Sequence, residues 1–247
     1  MKPYIKKFSE VEGFTVWIVD GKYIRDNIDV EFSNYGQNYM FKFIPENEFW
    51  IDKEAIPGEE NYYVNSMYLI NKLKKEGVEH KTAVKRADEI EKKERTEDYI
   101  KYNKITEKEI KENPKLIHKK LLKKYSTDKL KIWIVDGEAV RTFLFIDFTE
   151  GGHGIVYSFI PKDEVWIDDD LSVQERKYVL LHELHERKLM IGGWCYDTTS
   201  EAEMKTGIIK KSAHKDSSEI ESYCRKNPKE LDKKLKEEIK ENSKLIG

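Results

Sequence analysis

The sequence predicts an α+β fold made by tandem duplication, each copy a small antiparallel sheet of about four strands followed by two or three helices. Three observations predict it. Trp17-Ile18-Val19-Asp20-Gly21 recurs as Trp133-Ile134-Val135-Asp136-Gly137. The same spacing of 116 residues then holds without a gap through Phe43-Ile44-Pro45 and Phe159-Ile160-Pro161 to Trp50-Ile51-Asp52 and Trp166-Ile167-Asp168. In each copy the strand-like residues come first and the helix-like ones after, the order of an α+β chain. The copies are read as 1–126, a degenerate first repeat, and 127–247. A pseudo-symmetric packing of the two is expected.

Residues 16–19 are β-branched or aromatic, and the Asp-Gly that follows predicts a type I′ hairpin turn. Alternation through Ile28, Val30 and Phe32, matched by Leu144, Ile146 and Phe148, predicts a second strand. Gly36 and Gly152 are expected at the next turn. Third strands are expected at about 39–44 and 155–160, and a fourth ends at Asp52 and Asp168. Helices are predicted over about 58–76 and 172–191, stopped by Gly77 and by Gly192-Gly193. Ser172 and Glu175 have capping-box spacing. Second helices are predicted over about 79–96 and 211–226. Asn113-Pro114 and Asn227-Pro228 are each expected to open a last charged helix.

Of 247 residues, 37% are charged, yet the formal net charge is only −2. Such a mixed surface gives no general attraction to nucleic acid or acidic lipid, and no basic stripe suggests nucleic acid as a partner. No apolar run approaches the ~18 residues of a membrane span. The start, MKPYIKKFSE, has no apolar core of a signal peptide, so a cytoplasmic location is the expectation. Cys195 and Cys224 are too few for a disulfide framework or a four-thiolate zinc site. Free thiols are expected, with a single disulfide as the alternative. Gln occurs only at positions 37 and 174 among many Lys, Glu and Ile, a bias that resembles a hyperthermophile proteome.

The register between copies singles out one region. Tyr63, Ser66, Met67, Ile70 and Leu73 share a helix face at i, i+3, i+4, i+7 spacing. The matching face of the second copy is Val179, His182, Glu183, Glu186 and Leu189. Three ionisable groups therefore stand where the first copy places core, and burying them unpartnered is costly. On the next helix His214 stands opposite Val84, and in the preceding turn His153 stands opposite Gln37. These groups are absent together from the first copy, as expected of residues that act as a set. A divalent metal, zinc above others, would neutralise the acids and accept imidazole nitrogen. His182, Glu186 and His214 are the expected ligands, with His153, His185 and Glu221 as further candidates. His185 lies about 100° round the helix from the shared stripe. Glu221 with Arg225 repeats Glu91 with Arg95 and reads as a structural i, i+4 pair. The second copy also gains residues at about 194–212, including Asp197, Thr198, Thr199, Ser200, Glu201 and Glu203, which suits a substrate loop or a plain surface excursion.

A strand, then a helix with His-Glu-x-x-ligand, then a ligand on a later helix resembles the zincin metallopeptidase pattern. The resemblance covers about 165–225 and departs from it at Glu186, where zincins carry a second His. It implies His182, Glu186 and His214 as ligands, Glu183 as general base, and a peptide or protein substrate. The HELxE and AHxx(A/S)xxxE segments also resemble uncharacterised archaeal and phage domains. Two other readings stay open from sequence. One is a non-catalytic, metal-stabilised binding or assembly module, and the other is a metal-free polar network.

Overall fold

In the computed structural model, which describes residues 3–55, 57–103, 105–197 and 211–245, each copy builds a four-stranded sheet of one topology. The chain divides into two compact units that do not follow chain order. One comprises residues 1–116 with 137–149, the other 117–136 with 150–247.

The first unit contains β1 (Tyr4–Val11), β2 (Phe14–Val19), β3 (Tyr35–Gln37) and β4 (Glu48–Asp52), in spatial order β1-β2-β4-β3. The outer pairings are antiparallel, as expected, but β2 and β4 run parallel, so the sheet is mixed rather than an antiparallel meander. Parallel neighbours need a crossover. It begins at Asp20-Gly21, which is not a hairpin turn. The Asp20 carboxylate accepts the Tyr23 N–H at 3.2 Å and caps α1 (Gly21–Asn27). The hairpin turn lies earlier, at Glu12-Gly13, whose φ of 45° and 88° are the two positive values that a type I′ turn requires.

Residues 28–32 form turns instead of the predicted second strand. Phe32 is nevertheless fully buried, in a cluster with Ile24, Ile44 and Trp50 on one face of the sheet. Residues 39–44 are likewise turn, and Gly36 sits inside β3. A Cβ there would lie 2.8 Å from the Phe41 ring, so the glycine lets the following turn fold back onto the strand.

The opposite face of this sheet carries Phe14, Val16, Ile18, Phe49 and Ile51. Tyr63 and Met67 of α2 (Glu60–Lys75) pack on it. α2 ends as predicted. Gly77 has a φ of 85°, the Val78 N–H reaches back to the Leu73 carbonyl at 3.0 Å, and the Gly77 N–H meets that of Lys74 at 3.1 Å. α3 (His80–Asn103) then packs Ala83 and Ala87 against Ile70. Asn113-Pro114 opens a 3-10 turn, Pro114–Ile117, not a long helix; α4 (Glu107–Glu112) precedes it.

The first unit also holds α5 (Gly137–Phe143), the second copy's counterpart of α1. Its buried Arg141 donates to both oxygens of Glu59, at 2.9 and 2.6 Å. The equivalent Arg25 is also buried and donates to Asp52 at 2.8 Å.

The second unit repeats the sheet with β5 (His118–Leu121), β6 (Lys131–Val135), β7 (Gly151–His153) and β8 (Glu164–Asp168), ordered β5-β6-β8-β7. The parallel register pairs Trp133 with Trp166, as Trp17 pairs with Trp50. α6 (Glu175–Ile191) lays Tyr178, Val179 and Leu181 on Ile132, Ile134, Val165 and Ile167. α7 (Ala213–Lys226) and α8 (Pro228–Leu245) follow, and Pro228 opens α8 as predicted. Among the described residues no helix is long and apolar enough to cross a membrane.

Candidate metal centre

Local sequence fixes the three elements that bear the site. The Ser172 hydroxyl accepts the Glu175 N–H at 3.3 Å in the turn that leads into α6, whose N-cap residue is Gln174. Gly193, with a φ of 94°, ends it. Ser212 caps α7 by accepting the Lys215 N–H at 3.0 Å, which puts His214 in the first turn. β7 is the edge strand whose last residue is His153.

These elements bring together most of the residues singled out by sequence. Glu186 Oε2 lies 3.0 Å from His214 Nδ1 and 3.6 Å from His182 Nε2, and the two imidazole nitrogens are 3.2 Å apart. Glu186 Oε1 faces His153 Nε2 at 3.0 Å. His182 Nδ1 donates to Glu221 Oε2 at 3.0 Å. Glu183 is half-buried, with a carboxylate oxygen within 4.8 Å of donor atoms of both His153 and Glu186. Tyr196 stacks on the His214 ring, centroid to centroid 5.1 Å.

His185 stands apart from this group. Its two nitrogens bind Glu238 and Asp216, each at 2.8 Å, and so tie α6 to α8 and α7. Thr198, Thr199, Ser200, Glu201 and Glu203 lie outside the described residues.

Glu221 belongs to both the scaffold and the site. Its Oε1 accepts from Arg225 at 2.8 Å, and Arg225 also pairs with buried Glu175 at 2.9 Å. The first copy has the same cradle, with Arg95 between Glu91 and Glu59. Each guanidinium also lies over a tyrosine, Tyr62 or Tyr178, at 4.5 Å. What the second copy adds is His182 on the free side of the carboxylate. A ring nitrogen that donates to a carboxylate leaves the other nitrogen's lone pair for a metal.

Burial and the close acids and imidazoles shift the protonation of these groups in different directions. Burial opposes protonation of His182, but Glu186 and Glu221 outweigh it and hold the imidazole well above its ordinary value. Burial works to raise Glu186, yet hydrogen bonds from His153, His182 and His214 hold it well below the carboxylate range. Burial also acts to raise Glu221, but His182 and Arg225 bring it down to about 2. At Glu183 the charges of His182 and His214 also act downward, but they do not prevail. Burial and the charge of Glu186 push it up to about 8. In the first copy the counterparts of His182, Glu183 and Glu186 are Ser66, Met67 and Ile70, all buried without charge.

No protein-family model, curated protein or solved structure matches the chain.

Gly151 also belongs to the site, although no local motif marks it. Its counterpart is Tyr35, which stacks on Tyr63 at 4.5 Å in the first copy. At Gly151 a Cβ would meet Val179 Cγ1 at 2.9 Å, the Trp166 carbonyl oxygen at 3.0 Å and Glu183 Cγ at 3.3 Å. The bare backbone lets β7 close on α6 beside Glu183. The signal was present in the register, as a tyrosine exchanged for glycine. Gly151→Ala is expected to destabilise the second unit by about 1–3 kcal/mol through overpacking. Thermal unfolding of the purified chain checks it.

Proposed function

We propose that the second copy is a metal-dependent hydrolase acting on peptide or amide bonds. Its metal, zinc by choice of donors, would be held by His182 Nε2, His214 Nδ1 and Glu186 Oε2. The observation that carries this reading is the triangle those atoms make, with edges of 3.0, 3.2 and 3.6 Å. Ligands about 2.0–2.1 Å from a tetrahedral zinc stand about 3.3–3.4 Å from one another. Two imidazoles and one carboxylate also form a known catalytic zinc set that leaves a fourth position open.

Such an ion supplies Lewis acidity and makes water acidic near neutral pH. The remaining chemistry falls to the chain. Glu183 has the position and the raised proton affinity of a general base that takes the proton of an attacking water and returns it to the leaving amine. Glu221 holds His182 in the tautomer that presents Nε2. The free thiols of Cys195 and Cys224 suit a reducing compartment, in keeping with a cytoplasmic site of action.

The test is elemental analysis of the purified full-length chain, followed by chelation. About one zinc per chain is expected, lost in His214→Ala. Hydrolysis of a mixed fluorogenic peptide library should stop on chelation and return with zinc. A chain that takes up no divalent metal after reconstitution would overturn the reading.

A further inference from the structure

Two overlapping trios of donors share Glu186. One is His182, Glu186 and His214, and the other is His153, Glu183 and Glu186. By distance alone each could hold an ion. Glu186, with one oxygen turned to each trio, would then bridge a pair of metals as in two-metal hydrolases. The hydrogen bonds of His153 argue otherwise.

The Ile155 N–H donates to His153 Nδ1 at 3.2 Å. A backbone N–H aimed at a ring nitrogen requires a lone pair there, so the proton of the neutral ring sits on Nε2. That Nε2 faces Glu186 Oε1 at 3.0 Å, which makes it a donor to the carboxylate. A nitrogen carrying its proton is no metal ligand. To ligate through Nε2, the ring would have to move its proton to Nδ1, which gives up the bond from Ile155 and sets two N–H groups against each other in a fully buried site. The backbone beneath the ring is held as well. The His153 carbonyl accepts the N–H groups of Val156 and Tyr157 at 3.1 and 3.0 Å, and this turn fixes the backbone that carries it.

We propose that His153 is a positioning residue, which donates Nε2–H to Glu186 Oε1 and so presents Oε2 to a single metal ion. This rests on the metal reading above. It deepens that reading in two ways. The centre is mononuclear, and Glu186 binds through one oxygen because its other oxygen is occupied. The first copy, which lacks the ligands, has Gln37 at this position.

The test compares His153→Gln with His153→Asn in the full-length chain. A glutamine amide reaches about as far as Nε2 and can donate to Glu186, whereas asparagine stops near Nδ1. Zinc stoichiometry is read by elemental analysis, affinity by competition with a chromogenic chelator, and folding by thermal melt. About one zinc per chain is expected in all three proteins, with affinity about 10–100-fold weaker in His153→Asn and restored in His153→Gln. Cobalt substituted for zinc should give the same visible spectrum in wild type and His153→Gln. Two zincs in wild type falling to one in both variants would overturn the proposal in favour of a bridged pair. Unchanged affinity in a folded His153→Asn would also overturn it. A wild type without any metal would instead sink the parent reading.

Discussion

Glu183→Gln is expected to keep its metal and lose its turnover, with kcat falling roughly 10²–10⁴-fold. The substitution removes the one carboxyl of the cluster that no hydrogen bond from an imidazole or guanidinium supports. It leaves the His182, Glu186 and His214 donors in place. Because burial and Glu186 push the Glu183 pKa to about 8, a neutral amide there resembles the protonated acid and should cost little stability. The metal-free protein gives a second readout. Between the unfolded pKa of about 4.3 and the folded value of about 8, the folded state binds the extra proton, so stability falls as pH rises. Glu183→Gln should flatten that slope. Kinetics on a peptide substrate, metal analysis and melts across pH check the set. Loss of metal or collapse of the fold would make Glu183 a ligand or a structural partner, and the base assignment would fail.

The candidate site was legible because a duplication supplies its own control. Ser66, Met67 and Ile70 state what the helix face needs for packing, so His182, Glu183 and Glu186 stand out as residues that packing does not ask for. The roles of the neighbours were less legible. Glu221 recurs as Glu91 and reads as an i, i+4 partner of Arg225. Only coordinates show that its second oxygen meets His182, 39 positions away. The contact of His153 with Glu186 spans 33 positions and follows from sheet geometry rather than from any local pattern. His185, inside the HELHE string, is turned to Asp216 and Glu238, as its angle on the helix suggested.

In the fold, the helices after each sheet were readable from local signals such as Gly77 and Gly193. The crossover after β2 was not. Asp-Gly serves a hairpin and a helix N-cap equally well, and the choice depends on β2 pairing with β4, a partner reached only after the intervening chain has folded. Ile28, Val30 and Phe32 alternate like a strand, yet Phe32 alone is fully buried. The alternation there came from one core residue with half-exposed neighbours.

Arg225→Met is expected to destabilise the second unit by about 3–5 kcal/mol, since it takes the guanidinium from between two buried carboxylates, Glu175 and Glu221. Both acids and the guanidinium are almost wholly excluded from solvent. A loss of that size should lower the melting temperature on the order of 10–20 °C. Arg95→Met removes the same guanidinium from the first unit, where Glu91 and Glu59 are also buried, but Glu59 keeps its bonds from Arg141, so that unit should melt early by a smaller amount. The two variants part at the metal. Without Arg225, Glu221 holds His182 less firmly, so zinc affinity should fall about 10–100-fold at temperatures where the protein remains folded. Arg95→Met should leave zinc affinity unchanged, because Ser66 is no ligand. Equal affinity losses in both variants would mean that the Arg–Glu cradle acts through global stability alone. A wild-type melt for Arg225→Met would show that these buried charges are not held as the distances indicate. The contrast follows from what differs between the copies: the Arg–Glu pair is present in both units, and in the second it has a histidine to orient.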